Sequence, residues 1–172
     1  MPYTPILATL GYILSPDKTQ VLLIHRNARP EDPAWGKYNG LGGKLEPHED
    51  IWAGMAREIQ EEAGIIVTQM SLRGTISWPG FGKNGEDWFG FVFLITKFTG
   101  TPMTKNAEGE LYWQPIDLVK TAQLNFWPGD RHFLPLIFDN LENVDNLESD
   151  IPPFHGVMPY EKGAPVSWNY HR

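Results

Sequence analysis

The chain has 172 residues, 41% of them hydrophobic and 20% charged, a size and balance that suit one soluble domain spanning 1–172 with its own core. A net charge of −7 speaks against a nucleic-acid polymer or an anionic membrane as partner, since both recruit basic surfaces, but not against a small polyphosphate held through a metal ion. The absence of cysteine excludes disulfides, thiolate metal sites and a Cys nucleophile.

From the N-terminus, "TPILATLGYIL" and "QVLLIHR" are β-rich runs flanking "SPDKT", whose Pro and Asp suit a turn, and together they predict a hairpin. The run "ILATLGYIL" is too short to cross a bilayer and has no basic leader, the first lysine being Lys18, so a cytoplasmic chain is expected. Residues 27–49, rich in Gly and Pro, predict a long functional loop with a short strand near Leu41. Asp50 suits an N-cap and Gly64 the residue just past a helix, which brackets a helix over residues 51–63. Its apolar stripe is Ile51, Trp52, Met55, Ile59 and Ala63. Strands are predicted over 65–78, 88–98 and 111–113, then helices in "PIDLVKTAQ" and "GDRHFLPLIFDNL", with Pro135 kinking or shortening the second. "PFHGVMPYEKGAPVSWNY" predicts a C-terminal hairpin turning at "EKG". Strands before and after one strong helix indicate the α+β class, an α/β/α sandwich with a mixed sheet.

Within the long helix, "REIQEE" crowds Glu58, Glu61 and Glu62 into six positions. Residues three and four apart are neighbours on a helix, and the i+4 partners of these glutamates are Glu62, Ile65 and Ile66, none of them basic. Only Arg57, one turn before Glu61, offers relief, so the cluster calls for a cation that the sequence does not supply. Glu58 and Glu62 also project beside the apolar stripe, where a merely solvated face would lie opposite it. Gly54 lies on the same side one turn earlier, and a mid-helix glycine marks a place of close approach, here expected to be the metal site. The arriving loop, "NGLGGKLEPHE", adds three glycines that let backbone groups approach a ligand. Carboxylates and carbonyls are the hard ligands that Mg²⁺ or Mn²⁺ prefers, and such ions bridge protein carboxylates to phosphates.

The segment "GKLEPHEDIWAGMAREIQEEAGI", residues 43–65, resembles the Nudix box of the MutT family at every defined position: Gly43, Glu49, Arg57, Glu58, Ile59, Glu61, Glu62, Gly64 and Ile65. The resemblance implies the Nudix fold and hydrolysis of a nucleoside diphosphate linked to another group. By the same implication Glu58, Glu61 and Glu62 hold divalent metal with the Gly42 carbonyl, Arg57 positions the carboxylates, and Glu49 buttresses the loop. The crowding then reads as a Mg²⁺ site, with Mn²⁺ as the alternative ion.

Outside the box, "GKYNGLGGK", "LNFWPGDRHFLPLIF" and "FHGVMPY" resemble the approach loop, base-pocket segment and C-terminal hairpin of family members that hydrolyse oxidised purine nucleotides such as 8-oxo-dGTP. By that match Asn39, Trp127 and Asp130 contact the base. Gly129 departs from the pattern, standing where the first of two acids is expected. Each has an ordinary alternative: a turn residue for Asn39, a core aromatic for Trp127, a helix N-cap for Asp130. Trp88 and Trp35 are candidates for the pocket wall or for plain packing, and His48 is expected at the surface. Glu108, with Glu110 as the alternative, is the candidate for a further metal-binding or base-positioning acid. Arg26 is a candidate for the substrate phosphates or a surface Arg. A lone Asp130 beside solvent would stay ionised at neutral pH and favour guanine over adenine. The expected reaction turns a nucleoside triphosphate into monophosphate and pyrophosphate, through positioning and charge neutralisation without a covalent nucleophile. Rival readings are a Nudix enzyme for dinucleoside polyphosphates, ADP-ribose or pyrimidine triphosphates, and a non-catalytic nucleotide sensor.

Overall fold

The computed structural model describes residues 1–145 and 151–172. In chain order the strands are β1 (Ile6–Leu14), β2 (Gln20–His25), β3 (Tyr38–Asn39), β4 (Ile66–Trp78), β5 (Trp88–Thr99), β6 (Glu110–Pro115), β7 (Phe154–Val157), β8 (Tyr160–Glu161), β9 (Ala164–Pro165) and β10 (Asn169–His171). The helices are α1 (Ile51–Ala63), α2 (Ile116–Lys120) and α3 (Asp130–Ile137). One mixed sheet runs β10-β7-β4-β5-β1-β2-β3, with β6 paired to β2. Its parallel pairs are β1 with β5 and β4 with β7. Helix α1 covers one face and α2 and α3 the other, the sandwich expected from the order of elements.

The central strands explain their own composition. In β1, Tyr12 and Leu14 face the α3 side while Ile13 faces α1. In β5, Val92 and Leu94 alternate with Phe93 and Ile95, and in β2, Val21 and Leu23 alternate with Leu22 and Ile24. A strand buried on both faces reads as a continuous apolar run, and each fully buried side chain of this size contributes about 1.5–3 kcal/mol.

The helix termini follow the sequence signals closely. The Asp50 carboxylate accepts the Ala53 N–H at 2.8 Å, and Gly64 leaves α1 at φ 71°, its N–H bonded to the Gln60 carbonyl. Met55, Ile59 and Ala63 are buried as expected, and Met55 packs where Gly11 leaves room on β1. Trp52 departs from the predicted stripe: it is 46% exposed. Pro135 is accommodated inside α3, which ends two residues later, and the predicted extension is replaced by a 3-10 turn at Leu141–Asn143. The C-terminal hairpin does turn at Lys162 and Gly163, whose φ values of 50° and 78° suit a two-residue turn. Its small β8–β9 sheet is separate, however; β7 and β10 extend the main sheet beside β4. Among the described residues no helix is long and apolar enough to cross a membrane.

One feature of the topology places the site. The β1–β2 hairpin pairs only at its turn end, through Ile13–Leu22 and Leu14–Val21. Beyond that the strands splay, and the glycine-rich segment lies between them. β3 pairs with β2 at Ile24 and His25, while Leu41 and Lys44 bridge to Gly11 and Ala8 of β1.

Candidate active site

The glycine-rich segment and α1 face each other across the acidic cluster. The Leu41 and Gly43 carbonyls accept the Gly11 and Thr9 N–H groups at 2.6 and 2.8 Å. In such a ladder the residue between them turns its polar groups away from the partner strand. The Gly42 N–H accordingly reaches Glu62 Oε2 at 2.9 Å. A Cβ at Gly43 would stand 2.6 Å from Glu58 Oε1, so this position has to lack a side chain if the carboxylate is to sit beneath the loop.

Arg57 is the organising cation. Its Nε and Nη2 donate to the two Glu49 oxygens at 3.0 and 2.7 Å, a bidentate pair that joins loop to helix. Nη1 donates to Glu58 Oε1 at 2.9 Å and to Glu61 Oε2 at 3.4 Å, and Nη2 also reaches the Lys44 carbonyl. Its hydrogen bonds hold the Glu49 pKa down, to about 2. Glu58 goes the other way: burial raises its pKa despite the Arg57 contact. Glu62 is half-buried, and desolvation raises its pKa to about 8, the Gly42 N–H opposing and Glu108 and Glu58 adding to the rise.

Glu108 arrives from the loop before β6. Asn106 anchors that loop by donating to the Glu62 carbonyl at 3.0 Å and accepting the Glu108 N–H at 2.9 Å. Arg26 Nη1 pairs with Glu108 at 2.9 Å, and the same guanidinium holds Asp32 at 2.6–2.7 Å. Arg26 thus lies beside the acidic cluster, with its guanidinium engaged by two carboxylates. Glu110 lies apart, accepting from Asn27 and from the Tyr112 hydroxyl.

The donor set is oxygen-only and suits a hard cation. Among the described residues no three acidic or His side chains converge at ligand distance, because each carboxylate is drawn to its own partner: Glu58 to Arg57, Glu62 to Gly42, Glu108 to Arg26. Glu61 is 60% exposed. A cation held among Glu58, Glu62 and Glu108 would offset the like-charge repulsion that Glu108 and Glu58 exert on Glu62.

Gly54 corrects an expectation. The close approach is real, but its partner is the loop: a Cβ there would collide with Leu45 Cδ2 and come within 3.0 Å of Glu49 Oε1. The glycine lets the Glu49–Arg57 buttress seat on α1. His48 is exposed, as expected, in a left-handed turn (φ 73°).

The base-side candidates gather at the end of the sheet under α3. Segment 124–130 is pinned to β3 by Tyr38 N–H on the Asn125 carbonyl and Asn125 Nδ2 on the Gly36 carbonyl, both 2.9 Å. That brings Asn39, half-buried opposite Ile24, alongside the Trp127 segment. Trp127 is half-buried, with Lys37 Nζ 5.1 Å above its ring and Phe81 edge-on at 5.5 Å. Phe81 is also edge-on to Trp88 (6.4 Å), over which Lys44 Nζ stands at 5.5 Å. Trp88 Nε1 is buried without a hydrogen-bond partner among the described residues. Trp35 is 46% exposed, on the loop.

Asp130 overturns the picture of an acid beside solvent. It is 9% exposed, and burial raises its pKa to about 7, eased by the Trp127 N–H and Lys37. Nor does its side chain cap α3: the cap position is Gly129, and no side-chain capping bond forms. Tyr12 from β1 and Tyr160 from the C-terminal hairpin both feel its charge. Residue-level reading of the sequence missed Lys37, Phe81, Tyr12 and Tyr160, although Tyr160 ends the "FHGVMPY" segment already singled out. Only the fold brings these four to Trp127 and Asp130.

Comparison with known proteins agrees with this geometry. The NUDIX domain family matches residues 5–137. The oxidized purine nucleoside triphosphate hydrolase of Mus musculus is 31% identical over 134 residues, 78% of this chain and 80% of the mouse protein. An uncharacterized Nudix hydrolase of Bacillus subtilis, YvcI, is 30% identical over 108 residues, 60% of this chain but only 66% of YvcI. The crystal structure of a MutT protein from Bacillus halodurans superposes with a TM-score of 0.74 at 25% identity, covering 96% of this chain and 97% of that one. With the box residues around Arg57, the mixed sheet and these relatives in agreement, the chain belongs to the Nudix hydrolase family, of the MutT type.

Proposed function

We propose that this protein hydrolyses oxidised purine nucleoside triphosphates, such as 8-oxo-dGTP, to the monophosphate and pyrophosphate, cleansing the cytoplasmic nucleotide pool. The observation that carries this reading is the presence, in one fold, of an acidic, Arg57-organised cluster and an aromatic cluster, Trp127, Phe81 and Trp88, beside a buried carboxyl, Asp130. The relation to the mouse hydrolase supports the purine class.

Nudix hydrolases use a divalent cation such as Mg²⁺, and here Glu58, Glu61, Glu62, Glu108 and the Gly42 carbonyl would hold it. When bound, the ion supplies Lewis-acid polarisation of phosphoryl oxygens and a more acidic water. The chain's own residues do the rest. Arg57 and Glu49 keep loop and helix in register, so that Glu58 stays beneath Gly43. Glu62, whose pKa burial raises to about 8, would have to be ionised to serve as a ligand. Arg26, paired with both Glu108 and Asp32, would add positive charge beside a bound polyphosphate. Trp127 and Trp88 would offer aromatic surface to a base, and Lys37 and Lys44, which stand over their rings, add positive charge there.

The test is kcat/KM over 8-oxo-dGTP, dGTP, oxidised and ordinary dATP, pyrimidine triphosphates, ADP-ribose and a dinucleoside polyphosphate, read as pyrophosphate or phosphate release with and without Mg²⁺. Highest values for the oxidised purines, lost without the metal, are expected. A preference for ADP-ribose or a dinucleoside polyphosphate would refute the substrate assignment. Tight binding with no turnover would make the protein a sensor.

A further inference from the structure

We propose that the Tyr160 hydroxyl takes the place of the side chain absent at Gly129, making Tyr160 a specificity-determining residue that reads the base together with Asp130. The inference rests on the purine-nucleotide reading of the site and adds to it a second base-reading group, contributed by a different part of the chain.

The geometry is one of exclusive occupancy. A Cβ built at Gly129 would collide with Tyr160 Oη and with Met158 Sδ. The volume next to Asp130 that a side chain at 129 would fill is therefore already filled, from the C-terminal hairpin. The filling is anchored by backbone: the Met158 N–H bonds to the Ser77 carbonyl and the Tyr160 N–H to the Pro79 carbonyl, each at 2.8 Å. The ring is 6% exposed and packs edge-on to Phe81 at 5.0 Å, the same Phe81 that meets Trp127 at 5.5 Å. Tyr160, Phe81, Trp127 and Asp130 therefore form one wall.

The chemistry of a phenol differs from that of an acid in this position. Burial and the Asp130 charge raise the Tyr160 pKa to about 12, so it stays a neutral hydroxyl. A neutral phenol carries an O–H that can donate, which an ionised acid in this position does not. A donor beside a carboxyl complements a 6-keto purine, which presents a carbonyl acceptor next to its ring N–H and amino donors. A 6-amino purine would turn an N–H toward the phenol instead. Buried groups left mismatched this way discriminate strongly between otherwise similar substrates.

The test is Tyr160→Phe, which keeps the ring against Phe81 and removes only the hydroxyl. In the full-length protein with Mg²⁺, the ratio of kcat/KM for dGTP-type over dATP-type substrates should fall about tenfold, while pyrimidine triphosphates change little. Occupancy is read separately from activity, by urea denaturation: Gly129→Ala should destabilise the wild type more than it destabilises the Tyr160→Phe protein. An unchanged purine ratio in a folded Tyr160→Phe variant overturns the proposal and leaves the substrate reading standing. So does an equal loss on all nucleotides, or identical Gly129→Ala effects in the two backgrounds. A wild type inactive on both purines would overturn the substrate reading and this proposal together.

Discussion

Replacing Asp130 by Asn tests whether this acid is buried as the structure has it. In the unfolded chain an Asp loses its proton near pH 4, whereas in the folded protein burial raises the Asp130 pKa to about 7. Between those values the folded state holds one proton more than the unfolded state, so stability falls as pH rises through the window. The contribution is fully present below about pH 4 and fully lost above about pH 7. Roughly three pH units at about 1.4 kcal/mol each set an upper limit of about 4 kcal/mol. Asn has the same shape and no titration, so Asp130→Asn removes this slope. The difference in unfolding free energy, variant minus wild type, should therefore increase by up to about 4 kcal/mol between pH 4 and pH 8. Urea denaturation at pH 4, 6 and 8, with the slopes of the transitions held equal, measures it. Because every other titrating group is common to both proteins, parallel stability curves would refute the burial of this carboxyl and the base pocket built on it.

The same titration has a catalytic signature: the guanine-to-adenine ratio of kcat/KM should rise as pH passes through about 7, when Asp130 changes from a donor to an acceptor only. A flat ratio from pH 6 to 8 would count against Asp130 facing the base. Gly54→Ala should destabilise despite the gain of about 1 kcal/mol in helix propensity, because the new methyl meets Leu45 and Glu49; a higher denaturation midpoint would show that the loop yields. Apparent Mg²⁺ affinity by calorimetry should increase with pH up to about 8, by about tenfold per unit if Glu62 alone must release a proton, and this dependence should flatten in Glu62→Gln. Glu62→Gln should also lower turnover by about 10²-fold or more, losing an anionic metal ligand while relieving repulsion in the fold; wild-type turnover in this variant would remove Glu62 from the site.

What the sequence determined by itself was short-range. Asp50 and Gly64 bound α1 through contacts within a few residues, and the Lys162–Gly163 turn follows from local backbone preference. The doubly buried runs of β1, β2 and β5 announce central strands, and helical period alone sets Glu58 and Glu62 on one face. Tertiary structure decided everything that depends on which distant surface arrives. It turned Trp52 outward, put Leu45 and Glu49 against Gly54, and set Glu108 beside Arg26 while Glu110 went to Asn27 and Tyr112. Above all it buried Asp130. Residue type makes an aspartate acidic, but desolvation is set by the atoms packed around the carboxyl, and β1, the loop before β3 and the C-terminal hairpin bring Tyr12, Lys37 and Tyr160 from separate parts of the chain. No local pattern encodes that meeting, because it exists only after the sheet has closed over α3.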